Sequence, residues 1–255
     1  MIREAVGKHY IGMSKEFRFR GEEPGRLENL SDGVFSLAIT LLLISTNAPA
    51  NFDQIKKFVW ELIPFSACIV LFLLIWYEHF IFFFRYGLRN TKVIVLNTAL
   101  LVIVLFYVYP LKFLLKLLLL YPLALLFDEK NLRGELSEML RVEDTGQLMI
   151  IYGLGAASIF LVLMLMYRYA LKNARVLDLS KIEEFDTRAS VNANFLMGSI
   201  PFLSVMLAFI FRNHHLVGLI SGGAYFLYTP IMYVHGRRVG TRRRKLVKEI
   251  SESFN

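Results

Sequence analysis

Apolar residues gather along this chain into six long stretches separated by short charged segments. Four of these stretches, 93–111, 148–167, 191–211 and 216–234, contain no Asp, Glu, Lys or Arg. A fifth, 62–84, carries Glu78 and His79 near one end. A bilayer core is about 30 Å thick, so a helix rising about 1.5 Å per residue needs roughly 20 mostly apolar residues to cross it. The sixth stretch, 30–44, is shorter and contains Ser31, Asp32, Ser36 and Thr40. The expected fold class is an all-α integral membrane protein with six transmembrane helices.

Polar groups facing lipid are costly, so the short first span must be shielded by other helices. At 100° per residue, Leu37, Thr40, Leu41 and Ile44 fall on one face within an arc of about 100°. Ser36 lies one turn before Thr40. Two readings are open. The hydroxyls of Ser36 and Thr40 can bond back to carbonyls of their own helix while the leucines pack. Alternatively the stripe faces an axis shared by several copies of the chain. It would then form apolar rings that gate by dewetting and a hydroxyl ring that replaces part of an ion's water shell.

Lys and Arg mark the cytoplasmic side of membrane proteins. With six spans and the N-terminus inside, 21 of the 29 Lys and Arg residues fall in cytoplasmic segments. Both termini are therefore expected in the cytoplasm. Residues 1–29 read as a cytoplasmic tail, 30–236 as the six-helix domain and 237–255 as a basic cytoplasmic tail. The formal net charge of +8 needs no nucleic acid to explain it. The run from Arg237 to Lys248 abuts a span, where such clusters meet anionic headgroups. The first 29 residues lack an apolar core of the signal-peptide kind, so no cleavable signal is expected. The single cysteine, Cys68, excludes a disulfide within one chain.

Smaller features add detail. Lys112 and Lys116, one turn apart, extend the third span outward, where they either snorkel to the interface or stand beside a conduction path. Residues 128–147 form an outer segment in which Asp128, Glu129, Glu135, Glu138, Glu143 and Asp144 outnumber Lys130, Arg133 and Arg141. Gly218 and Gly222, and likewise Gly153 and Ala157, have the spacing that lets helices approach closely. Pro201 and Pro230 lie inside spans, where neighbouring helices re-satisfy freed carbonyls.

The segment from Arg26 through Ser31 and Asp32 (Arg-Leu-Glu-Asn-Leu-Ser-Asp) resembles the Arg-x-x-x-Phe-Ser-Asp signature that opens the first helix in the transmembrane protein 175 family of potassium channels. Leu30 stands where that family usually has Phe. Length and topology match as well, since bacterial members carry one six-helix unit, as here. The resemblance implies a homotetramer in a bacterial plasma membrane, with the first helix of each subunit lining one central pore. The family's pore positions map onto Leu37, Thr40, Leu41 and Ile44, the stripe that periodicity also picks out. Leu37, Leu41 and Ile44 would then be constriction rings. Thr40, with Ser36 beside it, would favour potassium, and no metal beyond the permeating potassium ion is implied. Such a channel would conduct as a passive leak and need no cofactor. The motif itself is expected to be structural, with Asp32 hydrogen-bonding His79 in the second helix, Asn97 in the third, or both. Arg26 can reach Asp32 or Glu28 only through a bend or from another subunit, because six residues of regular helix do not share a face.

A secondary transporter of a cation or small solute is the alternative, but it would need paired midplane elements that this chain lacks. An enzyme is not expected, for no His-Glu-x-x-His, paired mid-span aspartates or Cys–His pair occurs. His9, His79, His214, His215 and His235 are scattered rather than clustered for a metal.

Overall fold

The computed structural model describes residues 17–44, 50–120, 123, 126–127, 134, 139–140, 144–214 and 216–253. Among these the regular structure is helical throughout. Most of the acidic outer segment predicted at 128–147 lies outside the described residues, as do His9 and His215.

Helix α1, Arg26–Ile44, starts four residues before the apolar pattern does, so the whole Arg-to-Asp motif is helical. Helix α2, Phe52–Tyr86, begins where the Asn51 side chain accepts the Gln54 N–H, and it ends on Gly87 at φ 58°. That left-handed residue reverses the chain within a few residues. Helix α3, Thr91–Leu115, is capped by Asn90, and it runs on through a π-helical turn, Lys116–Leu120. Helix α4 is Thr145–Lys172. Helix α5, Lys181–Ile210, opens with a Ser180–Glu183 capping box that satisfies two orphan N–H groups reciprocally. The last rod is broken. Helix α6, Val217–Gly223, tightens into a 3₁₀ turn, Ala224–Leu227, before α7, Tyr228–Ser253. Pro230 therefore sits in the first turn of α7, where its missing N–H costs no helical bond. The basic run from Arg237 continues α7 as helix.

Five rods among the described residues are long and apolar enough to cross a membrane: α2, α3 with its π turn, α4, α5, and the α6–α7 rod. Helix α1 is set apart by carrying Arg26, Glu28 and Asp32 within its 19 residues. The antiparallel α4–α5 pair forms the most extensive helix contact. A Cβ on Gly153 would run into the Val205 side chain and the Pro201 carbonyl, so glycine sets that close approach. Gly222, by contrast, faces open space. Helix α1 lies against α3 and α2.

Residues 17–25 do not trail away as a tail. They fold back as a strap across the ends of α2 and α5, and the Gly21 N–H donates to the Phe84 carbonyl at 3.1 Å. A side chain on Gly21 would collide with the carbonyl of Phe83, so the two backbones can touch only at a glycine. Phe17, buried, meets Tyr86 edge-on with ring centroids 5.8 Å apart. The Glu183 carboxylate, 3% exposed, accepts from the Arg18 backbone N–H at 2.9 Å. It also takes both terminal nitrogens of Arg20, at 2.9 and 3.0 Å, and the Ser180 N–H at 2.7 Å.

Removing the cation from such a buried pair strands the carboxylate, at a cost of about 3 kcal/mol. Arg20→Ala is therefore expected to lower the melting temperature of the purified protein clearly. Adding Glu183→Gln to that variant should recover part of the loss. A double variant that melts below Arg20→Ala would show that the pair is not what holds the strap.

Candidate functional site on the first helix

The rotation of α1 about its own axis decides which residues can act. Ser31, Phe35, Ala38 and Leu42 recur at intervals of four, three and four residues and lie on one face. All four are at most 3% exposed. The opposite face carries Ser36, Leu37 and Thr40, all exposed. Leu37 keeps half its surface open. Within its own chain, α1 thus packs one side and leaves the other uncovered.

A chain of buried hydrogen bonds sets this rotation. His79 Nε2 of α2 donates to Asn97 Oδ1 of α3 at 2.7 Å. The Asn97 amide donates to Ser31 Oγ at 2.9 Å, and Ser31 donates to the Leu27 carbonyl at 2.8 Å. Asn97 and Ser31 are fully buried and His79 is nearly so. Each donor has one acceptor, so the three helices are joined in a single rotational register.

The expected partner of Asp32 is corrected here. Asp32 bonds neither His79 nor Asn97; its Oδ1 accepts the indole N–H of Trp76 at 2.7 Å. The reason is angular. Ser31 shares the stripe of Phe35, Ala38 and Leu42, whereas Asp32 stands about 100° away on the flank that faces α2. Arg26 is exposed and forms no ion pair with Asp32 or Glu28 among the described residues. Glu28 instead receives Arg89, from the turn between α2 and α3, at 2.9 Å. Trp76 and Arg89 escaped the sequence reading. An indole N–H inside a bundle needs an acceptor, which was the available signal for Trp76.

Towards the other end of α1, the Lys112 ammonium donates to the Leu42 carbonyl at 3.1 Å. A cation at the C-terminal end of a helix is favourable to its dipole. Lys116 pairs with Glu61 of α2 at 2.7 Å. The two lysines therefore tie α1 and α2 to α3.

Ser36 Oγ donates to the Asp32 carbonyl at 2.8 Å, and Thr40 Oγ1 donates to the Ser36 carbonyl at 2.9 Å. Their hydrogens are spent on the helix, so the oxygen lone pairs remain for an outside partner. Leu41 is only partly exposed and packs against the core. Ile44 is the last residue of α1, and its side chain lies outside the described set. Among the described residues no group of three His, Cys, Asp or Glu is placed to hold a metal ion.

Comparison with known proteins gives this arrangement a context. The family model for the endosomal/lysosomal potassium channel TMEM175 matches residues 26–107, which span α1, α2 and most of α3. The chain is 43% identical over 247 residues to a potassium channel of Marivirga tractuosa, an alignment covering 94% of this chain and 97% of the relative. It resembles the crystal structure of a threonine-to-alanine variant of the potassium channel MtTMEM175 bound to a nanobody fusion. That match has a TM-score of 0.78 and 42% identity, and it covers 91% of this chain and 100% of the other. A crystal structure of a lysosomal potassium-selective channel TMEM175 homologue from Chamaesiphon minutus shares the fold, with a TM-score of 0.51 and 19% identity, covering 84% of this chain and 97% of the other.

Asn97→Leu would break both side-chain bonds at the centre of the chain and leave His79 without its acceptor. Unsatisfied buried groups cost about 1–3 kcal/mol each. The variant is expected to give less assembled protein and a lower melting temperature than Trp76→Phe, which removes a single bond to a more exposed carboxylate. Size-exclusion profiles and thermal melts of the two variants decide the order, and the reverse order would displace Asn97 from the centre of the site.

Proposed function

The chain belongs to the TMEM175 family of potassium channels, and from that premise we propose that it conducts potassium passively through a pore lined by α1. It is a multi-pass membrane protein and not an enzyme. The observation that carries the proposal is the uncovered face of α1. The helix that opens with the family motif packs its Ser31–Leu42 stripe inward and leaves Ser36, Leu37 and Thr40 without cover from their own chain. One helix per chain cannot enclose a path, so several copies must bring these faces together. We take that number to be four, as the family resemblance implies.

In this reading α1 is the sixth crossing, both termini are cytoplasmic, and the membrane is a bacterial plasma membrane. The basic run from Arg237 lies against anionic headgroups. Leu37 forms the main apolar ring and Ile44 a second ring further along the helix. Leu41, partly turned toward the core, touches the path only at its edge. Thr40, with Ser36 a turn away, presents oxygen lone pairs rather than hydrogens to the axis. That is the orientation a partly dehydrated cation requires. The His79–Asn97–Ser31 chain and the Asp32–Trp76 bond do not touch the ion. They hold α1 at the rotation that keeps Thr40 on the axis.

The proposal is tested by the reversal potential of purified protein in planar bilayers, with potassium on one side and sodium on the other. A stable reversal of the potassium sign is expected, and saturable uptake without current would replace the channel by a carrier. Thr40→Ala removes the hydroxyl ring. Loss of a contribution of about 1 kcal/mol corresponds to roughly a fivefold drop in potassium-over-sodium permeability. An unmoved reversal potential would take Thr40 out of the selectivity step. Leu37→Ala widens the apolar ring and should raise single-channel conductance, and an unchanged conductance would place the constriction elsewhere.

A further inference from the structure

Away from α1, three helices enclose a second feature. At the level where charged residues begin, α2, α5 and α7 surround a cavity of about 280 Å³. Its walls include Arg85, Ser190, Ala193, His235 and Arg243. Arg243 is already paired with Asp186 of the same cavity at 2.9 Å. Arg85 is different. It is only 9% exposed, yet among the described residues no carboxylate lies within ion-pair distance of it, and the buried Glu78 of the same helix acts on it only from beyond that distance. Its guanidinium makes one long bond to Ser190 Oγ, at 3.3 Å, and lies 4.9 Å from the Phe17 ring centre. Its Nε is buried with no hydrogen-bond partner. A buried guanidinium left in this way is costly unless an anion completes it.

A second cavity, of about 650 Å³, lies further along these helices and is lined by α2, α3, α4 and α7 together with Met197 of α5. Met197 follows Ala193 by one turn on α5, Met232 stands one turn from Gly236 on α7, and Glu78 stands two turns from Arg85 on α2. The upper cavity is walled mainly by apolar groups such as Leu74, Leu111, Ile159, Met197 and Met232. The cationic cavity and the apolar one thus follow one another along α2, α5 and α7, which are among the rods able to cross a membrane. Arg237, Arg238, Arg242 and Arg244 add positive charge on the adjoining part of α7.

We infer that this pair of cavities is a binding site for an anionic phospholipid, whose phosphate completes Arg85 and whose acyl chain fills the apolar cavity. A zwitterionic lipid would bring its own cation beside Arg85, which has no carboxylate within ion-pair distance among the described residues. Free phosphate would satisfy Arg85 but leave the apolar cavity unfilled. That the lipid comes from the cytoplasmic leaflet rests on the orientation proposed above; the binding does not, and it is measured without reference to conduction.

The test uses the purified full-length chain in a neutral detergent. Thermal melts are recorded against added phosphatidylglycerol, phosphatidylcholine or inorganic phosphate. Phosphatidylglycerol is expected to raise the melting temperature at concentrations about tenfold below those phosphatidylcholine needs, the ratio for one charge-assisted hydrogen bond. Inorganic phosphate should have little effect. Arg85→Gln removes the charge, and Ala193→Phe fills the lower cavity with every charge retained. Each should bring phosphatidylglycerol down to the level of phosphatidylcholine. Should Arg85→Gln fail to fold, Ala193→Phe and His235→Ala carry the comparison. Equal responses to the two lipids, a preference that survives in the folded variants, or a full response to phosphate alone would each overturn the site.

Discussion

A carboxamide inside a membrane protein has two hydrogens and an oxygen, and no water to fall back on. Asn97 meets that requirement by standing between two other helices, taking a hydrogen from His79 and giving one to Ser31. Rotating α1 by one residue, about 100°, would break this chain and put Asp32 where Ser31 belongs. Leucines alone would tolerate such a slip at modest cost, because apolar surfaces are interchangeable between lipid and protein. The polar chain is directional and does not tolerate it. The positions of Ser36, Leu37 and Thr40 on the open face all follow from this one constraint.

The remaining contacts at α1 act as supports placed along its length. Arg89 on Glu28 and Trp76 on Asp32 fasten the end where the motif lies. Lys112 on the Leu42 carbonyl fastens the other end. The strap at residues 17–25 enters α1 from a fixed direction because Glu183 gathers four donors around one buried carboxylate. A helix that leans on its own chain along one side only needs such fastening. The forces on its two faces are not equal.

The lipid site follows the same logic at a different place. Glu183 is buried and fully partnered, whereas Arg85 is buried and is not. The first is a closed structural joint and the second an open one. Lipid is the one anion source that also brings an apolar tail to the adjoining cavity.

Much of the architecture could be read from the chain alone. Long apolar stretches become helices in a membrane because the helix satisfies its own backbone there, and so each of α2 to α5 covers a predicted stretch, although α2 and α5 begin ten residues before it. That Leu37 and Thr40 share one face of α1 was legible as well, since 100° per residue is fixed by the backbone. Local geometry did not say which neighbour each polar residue meets. Ser31 and Asp32 are adjacent in sequence, and only the placement of α2 and α3 decided that the serine reaches Asn97 while the aspartate reaches Trp76. The strap, the Arg89–Glu28 pair and the Lys112 contact join residues more than sixty positions apart, which no periodicity encodes. Leu41 lay within the predicted stripe, but the packing of α1 on the core drew it partly inward. Sequence determined what each helix needs to bury, and tertiary structure decided what it is buried against, because burial is a property of a residue's chemistry and contact is a property of the whole fold.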